Sequence, residues 1–404
     1  MQVPAENSLS ASSAGPERLN LAFLDGMRAL AAIIIVLHHG WYTVWNGSDP
    51  PLFWTQWLSN GHTVSVFMVI SGYCLMLPVV RGDGTLRHGA VAFWRKRAAR
   101  ILPPYYFAVA FSLLLDTFLL NRKMNGLWDS CLPITWDSVV VHLLLLQNFS
   151  SSQIHTINYA FWSLSLEWWI YFLFPGLVWA WKRFSAGATA AFLVVISYAA
   201  WLVCGKVLHN DFTLNFIGFF VLGMFASELA HSRRPAILFL RERFSWEKIT
   251  WVVLALLLIA TTGKVRHFSS GYLLDLLIAL CTLCFLVMLS LRQDNFAGKF
   301  LSQKPLTFLG SFAYSIYLVH SPLIQIIWQY VLYPLHFAPT LAFLLLALGG
   351  VPVVLAGTYL FHLAFERPFA TNLPLKPRSA HRLESCGARA TSFLLSLLTN
   401  LPLA

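Results

Sequence analysis

The residues that call for explanation are ionisable and polar side chains set inside apolar sequence. Phe23-Leu-Asp-Gly-Met-Arg28 leads into an unbroken apolar run that ends at Leu37-His38-His39-Gly40. Arg28 and His39 are eleven positions apart, which on a helix is about three turns plus 20°, so they share one face with roughly 16 Å between them along the axis. Asp25, three residues before Arg28, is placed to pair with it. His38 lies about 100° round the helix from His39 and reads as an interfacial or packing residue. A guanidinium and an imidazole on one buried stripe suit proton transfer or nucleophilic chemistry beside a bound anion. The plainer reading is a snorkelling arginine with an acidic partner and interfacial histidines.

Three further segments carry the same kind of signal. In Arg95-Lys-Arg97-Ala-Ala-Arg100, followed by Pro103, the residues Arg97 and Arg100 fall on one face at i and i+3. Anchoring at a membrane surface accounts for basic residues there, and a forked guanidinium pair also suits phosphate recognition. In Phe161-Trp-Ser163-Leu-Ser165-Leu-Glu167-Trp-Trp-Ile-Tyr171, the residues Ser163, Glu167 and Tyr171 form a polar stripe at i, i+4 and i+8, with Ser165 in the same segment. Ser71, in Phe67-Met-Val-Ile-Ser71-Gly72-Tyr73, and Tyr314, Tyr317 and His320, in Gly310 to His320, suit either helix packing or the lining of a site.

The elements that must position these groups are transmembrane helices. Of 404 residues, 57% are apolar and only 11% charged, against roughly a quarter charged in an ordinary soluble domain. A polar side chain at membrane depth costs several kcal/mol by insertion scales, roughly 2.5–3.5 for a charged one, so each of those above needs a reason to be there. Stretches of about 20 mostly apolar residues, the length that crosses a bilayer, recur from Leu21 almost to Phe365. The expected fold is all-α: a polytopic transmembrane bundle of about ten spans, near 21–43, 63–80, 97–119, 161–181, 187–205, 213–230, 249–263, 272–291, 305–333 and 339–365. No internal repeat of the kind that builds two-half transporters is evident.

Orientation follows from Lys and Arg. The segment after the second span holds Arg81, Arg87, Arg95, Lys96, Arg97 and Arg100, whereas Thr43 to His62 has neither residue type. The first loop is therefore expected outside and the second in the cytoplasm. Lys182 and Arg183, then Arg233 to Lys248, then Arg292, Lys299 and Lys304, and finally Arg367, Lys376, Arg378 and Arg382 all fall inside if Val139 to Phe149 does not cross. That stretch is short enough for a re-entrant segment. Arg122 and Lys123 are then the exception outside, and both termini lie in the cytoplasm.

Three regions follow: a disordered polar tail over 1–20 with no signal-peptide pattern, a transmembrane domain over 21–369, and a cytoplasmic tail over 370–404 whose apolar end, Phe393 to Leu403, is too short to span. The formal charge of +11 is spread through loops and not gathered in a stripe, so it sets topology and excludes nucleic acid as a partner. Six scattered cysteines, including Cys281 and Cys284 at redox-motif spacing within one helix, read as packing residues, with neither disulfide nor metal expected.

Taken together the chain resembles the acyltransferase-3 family of membrane O-acyltransferases. The matching pieces run in family order over about 350 residues: Leu24-Asp-Gly-Met-Arg28 to His39, Phe67 to Tyr73 with Ser71-Gly72, Arg97 to Arg100 with Pro103, Trp162-Ser-Leu-Ser-Leu-Glu167, Ser315 to His320, and Glu366-Arg-Pro-Phe369. Two positions depart from the pattern. His38 stands where an aromatic residue commonly precedes the histidine, and Trp168 where a second acidic residue often follows the first. Within these 404 residues the soluble esterase-like domain the family often carries is not expected.

The resemblance implies transfer of an acyl group, acetyl or another short chain, from acyl-CoA as a co-substrate that is not permanently bound. The acceptor is a hydroxyl of a sugar, glycan or secondary metabolite. Arg97 and Arg100 would hold the donor's phosphates. His39 would act as general base or acyl carrier, Glu167 would orient it, and Arg28 would bind the donor or stabilise developing charge. Asp25, Ser71, Ser163, Ser165, Tyr171, Tyr314, Tyr317 and His320 would line the site. The protein would be multi-pass in the plasma membrane if bacterial, or in an endomembrane or the plasma membrane if eukaryotic. The residues alone also admit a non-enzymatic transporter or flippase of a polar lipid or metabolite, in which the same stripe lines a path. A scaffold or receptor-like bundle leaves so many charges at depth without a purpose.

Overall fold

Backbone polar groups in lipid have no water to bond, so a spanning segment satisfies them within its own helix. The computed structural model describes residues 20–46, 58, 63–124, 126–210, 212–261 and 271–371, with the backbone alone for Gly271, Tyr272, Ala370 and Thr371. Among these residues the regular elements are all helical. They are α1 (Ala22–Trp45), α2 (Thr63–Arg81), α3 (Gly89–Phe118), α4 (Trp136–Leu143), α5 (Trp162–Arg183), α6 (Ala186–Val207), α7 (Asn215–His231), α8 (Pro235–Arg243), α9 (Trp246–Ala260) and α10 (Gly271–Leu291). Then follow α11 (Phe296–Leu301), α12 (Lys304–Ser311), α13 (Ala313–Ile327) and α14 (Pro339–Phe369), which carries π turns at Leu346–Gly350 and His362–Glu366.

Among the described residues six helices are long and apolar enough to cross a membrane: α1, α2, α3, α6, α10 (from Leu273) and α14. The chain is an all-helical, multi-pass membrane protein. The other segments expected to span, α5, α7, α9 and α13, are helices too, but shorter or less apolar. In α5 the Trp, Ser and Glu content that makes it chemically interesting also lowers its hydropathy. The expectations for 1–20 and 370–404, apart from residue 20 and the backbone of 370–371, and for most of the loop from 47 to 62 lie outside the described residues.

One expected span is not continuous. Over 305–333 the backbone breaks at Phe312 (φ −124, ψ 23), separating α12 from α13. The cause is tertiary. α12 is pressed onto α1 so closely that a Cβ on Gly310 would overlap the carbonyl oxygen of Asp25. The contact sets Gly310 and Ser311 beside Asp25 and Arg28. A second close approach joins α2 to α7: a Cβ on Gly72 would meet the carbonyl of Phe220, and one on Gly223 that of Val69. Ser71 and Gly72 thus serve different ends although they are neighbours, since Gly72 packs on α7 while Ser71 faces the cavity described below.

Between α3 and α5 lies a short helix. α4 has eight residues, a rise of about 12 Å. A capping box starts it, Thr135 Oγ1 accepting from Ser138 N at 3.2 Å and Ser138 Oγ accepting from Thr135 N at 3.4 Å. After it Leu145 takes φ +55, and a 3-10 turn at Gln147–Phe149 follows before α5.

Candidate active site

The first, second, third, fifth and last helices, with α12 and α13, enclose a cavity of about 390 Å³. Asp25, Arg28, Ser71, Arg97, Arg100, Ser163, Glu167, Tyr171, Tyr314 and Tyr317 all line it. Residues from five separate segments therefore meet in one space. His39 and His320 lie outside this lining but bond to each other, and Ser165 stands apart.

At one end are the cations. Arg28 donates through Nη1 to Asp25 Oδ1 at 2.7 Å and through Nη2 to Cys74 Sγ at 3.2 Å. The guanidinium of Arg97 sits 5.8 Å from the ring centroid of Phe93, and its Nε is buried without a hydrogen-bond partner. Among the described residues neither Arg97 nor Arg100 forms an ion pair with a carboxylate. Arg100 is exposed, but Arg97 is partly buried, and a partly buried guanidinium without a counter-ion costs free energy unless an anion completes it.

The middle is lined by hydroxyls and a carboxylate. Glu167 Oε1 accepts from Ser71 Oγ at 2.7 Å and, in a short contact, from Tyr171 OH, while Ser71 Oγ and Tyr171 OH are 3.1 Å apart. The i, i+4 register on α5 delivers the tyrosine, and α2 delivers the serine. Trp94 Nε1 donates to the carbonyl of Tyr171 at 3.0 Å and fixes α3 against α5. Tyr314 OH donates to the carbonyl of Ile101 at 3.0 Å, tying α13 to α3 just beyond Arg100. Tyr317 OH bonds both Ser163 Oγ and the carbonyl of Ala160 in short contacts.

Further along α1, His39 Nδ1 lies 2.7 Å from His320 Nε2. His320 is fully buried, and His39 is partly exposed. Tyr159 packs edge-on to His39 with centroids 4.8 Å apart, and His38 lies at 5.0 Å. Tyr317 connects this pair to the cavity, since it lines the cavity while its carbonyl accepts from His320 Nδ1 at 2.9 Å.

Two expectations change. Glu167 is not the hydrogen-bond partner of His39, because its bonds go to Ser71 and Tyr171 while His39 is held by His320. Ser165 does not line the cavity. It points the other way and donates to the carbonyl of Leu145 at 2.7 Å, where the segment after α4 packs on α5. His38, expected to be interfacial or packing, packs against Leu58, its Nδ1 making a short contact with that carbonyl.

Two ionisable cavity residues are not evident from the sequence. Cys74, grouped there with packing cysteines, is against Arg28. Glu366, noted only as part of the Glu366-Arg-Pro-Phe369 segment, lines the cavity and is buried. It is held by Ser315 Oγ at 2.5 Å and His362 Nδ1 at 2.8 Å. A carboxylate at the end of an apolar helix, four residues after a histidine, was the available signal.

A sequence profile of the acyltransferase-3 family, described as an acyltransferase domain, matches residues 21–363. Among curated proteins, O-acetyltransferase OatA of Staphylococcus aureus is 24% identical over 331 residues, 76% of this chain and 51% of that protein. The putative peptidoglycan O-acetyltransferase YrhL of Bacillus subtilis is 24% identical over 326 residues, 74% of this chain and 48% of that protein. The chain thus spans about half the length of the curated relatives it matches. No solved structure matches the chain significantly.

Proposed function

The chain belongs to the acyltransferase-3 family, and from that premise we propose that it is a membrane O-acyltransferase moving an acetyl or similar short acyl group from acyl-CoA to a hydroxyl of a sugar, glycan or secondary metabolite. The observation that supports this reading is the pair of guanidinia, Arg97 and Arg100, lining a cavity between the helices without carboxylate partners among the described residues. Phosphate is the group that such a fork receives bidentately, and the phosphates of coenzyme A enter there from the cytoplasm.

The thioester arm follows the cavity past Arg28 and the Ser71–Glu167–Tyr171 cluster towards Tyr317. His39 takes the proton of the acceptor hydroxyl as the oxygen attacks the thioester carbonyl. The C–S bond then breaks, and the departing thiolate takes that proton back from His39, so that ester and free thiol are formed. In the alternative step His39 carries the acyl group before the hydroxyl receives it. Arg28 stabilises charge that develops on the thioester oxygen, and Glu167 fixes Ser71 and Tyr171 as polar lining. Residues 21–369 form the catalytic domain. It crosses the membrane about ten times, α4 dips in and returns, and both termini face the cytoplasm, as the distribution of Lys and Arg favours.

The test is purified protein in detergent or nanodiscs with labelled acetyl-CoA and candidate hydroxyl acceptors. Label is expected to move to the acceptor, and His39→Ala is expected to lower transfer by roughly 10²–10⁴-fold with an unchanged melting temperature. Near-wild-type transfer by His39→Ala removes the mechanism. Movement of unmodified cargo across a vesicle wall without any acyl transfer supports a carrier instead.

A further inference from the structure

His320 Nδ1 lies 2.9 Å from the carbonyl oxygens of both Ile316 and Tyr317, one turn back on its own helix. A carbonyl oxygen only accepts, so Nδ1 must carry a proton. In the neutral ring the other nitrogen, Nε2, then carries a lone pair. That lone pair faces His39 Nδ1 at 2.7 Å, and a bond between two nitrogens needs one proton, which must come from His39. His39 therefore holds its proton on Nδ1 and presents its own lone pair at Nε2. The backbone of α13 dictates the tautomer of an imidazole 281 residues away in sequence.

We infer that His320 is a positioning residue that fixes both the orientation and the tautomer of His39, making Nε2 of His39 the atom that receives the acceptor's proton. This rests on the assignment of His39 as the reacting imidazole. It holds equally if Nε2 carries the acyl group, because either step needs the lone pair there. When Nε2 takes the hydroxyl proton, His39 becomes an imidazolium that donates through Nδ1 to His320, and the proton leaves from Nε2 with the thiolate. His320 neither gains nor loses a proton in the cycle.

The choice of partner suits the surroundings. A triad usually orients histidine with a carboxylate, but a carboxylate buried at membrane depth is costly unless it is paired. A neutral imidazole wedged on two carbonyls provides the same acceptor without a buried charge. His320 is fully buried, so water does not compete for either nitrogen.

Two substitutions separate orientation from bulk. His320→Leu keeps an apolar filler and removes the acceptor. His320→Gln sets a carboxamide oxygen near the former Nε2, where it accepts from His39 Nδ1. With acetyl-CoA as donor, His320→Leu is expected to lower kcat on the order of 10²–10⁴-fold, as loss of an orienting group does, with the donor KM within about threefold. His320→Gln is expected to restore at least about tenfold of that loss. Nitrogen NMR of histidine-labelled wild-type protein is expected to report His39 protonated at Nδ1, and it reads the tautomer even if a variant fails to fold. Equal activity of the Leu and Gln variants, a loss confined to KM, or a His39 protonated at Nε2 overturns the inference. His39→Ala keeps the two questions apart. If that variant retains transfer, the functional reading has failed; if it is dead while His320→Leu is fully active, only the role of His320 has failed.

Discussion

Arg97 offers the sharpest test of the donor end, because its two possible roles predict opposite effects on the empty protein. As a membrane anchor it contributes to stability, and its removal lowers stability in all conditions. As a phosphate ligand waiting for an anion it is strained in the empty protein. Its Nε is buried and unpartnered, a cost of about 1–3 kcal/mol for a buried group left unsatisfied. The opposing contribution is its contact with the Phe93 ring, worth about 0.5–1 kcal/mol. Arg97→Gln is therefore expected to leave the melting temperature of the empty protein unchanged or raised.

Donor binding moves the other way. A hydrogen bond to a charged group contributes about 1.5–3 kcal/mol, which corresponds to roughly a tenfold to 150-fold weaker affinity when it is lost. Coenzyme A at 100 times its wild-type Kd stabilises the native protein by about 2.7 kcal/mol. If Kd rises tenfold that gain drops to about 1.4 kcal/mol, and if it rises a hundredfold, to about 0.4 kcal/mol. A thermal-shift titration in detergent, with and without coenzyme A, measures both quantities on one sample, and steady-state transfer adds the KM for the donor. A variant that melts well below wild type when empty yet gains the full ligand-induced shift refutes the phosphate role and returns Arg97 to anchoring.

Two further predictions concern parts of the molecule away from the chemistry. Gly223→Ala sets a methyl group into the carbonyl of Val69; overpacking of this kind costs about 1–3 kcal/mol, and a melting temperature equal to wild type would show that α2 and α7 are further apart than described. Ser165→Ala removes one buried hydrogen bond to Leu145, about 1 kcal/mol, and is expected to lower thermal stability slightly while kcat and both KM values stay within about twofold; a selective fall in kcat would place Ser165 in the reaction.

What the sequence makes legible is what helical geometry carries locally. Arg28, Asp25 and His39 share a stripe because eleven residues return almost to the starting angle, and Ser163, Glu167 and Tyr171 follow from the i, i+4 register. Periodicity also speaks against Ser165, which stands about 200° from Ser163 and faces Leu145. The partner of His39 was out of reach, since nothing near either residue links positions 281 apart. The break at Phe312 was hidden for a similar reason. Gly310 looks like any glycine in an apolar run until the carbonyl of Asp25 is brought against it. Glu366 and Cys74 join the cavity through pairings that cross between helices.

Separation along α1 explains why the site is divided as it is. Roughly 16 Å of helix lies between Arg28 and His39, so no rigid group touching the guanidinia also touches the imidazole. A donor that binds by phosphates at one end and reacts at the other must be long, narrow and flexible in between, which is the shape of a thioester on a pantetheine arm. The lining of the intervening cavity suits such an arm. Ser71, Glu167 and Tyr171 hydrogen-bond one another, so the polar surface they present is held in place by its own contacts. Arg97 and Arg100, without carboxylate partners among the described residues, line this cavity, while His39 and His320 lie beyond its lining, next to Tyr317. If binding energy gathered at Arg97 and Arg100 is used to hold the thioester at His39, truncating the donor to an acetylated thiol without phosphates lowers kcat as well as raising KM.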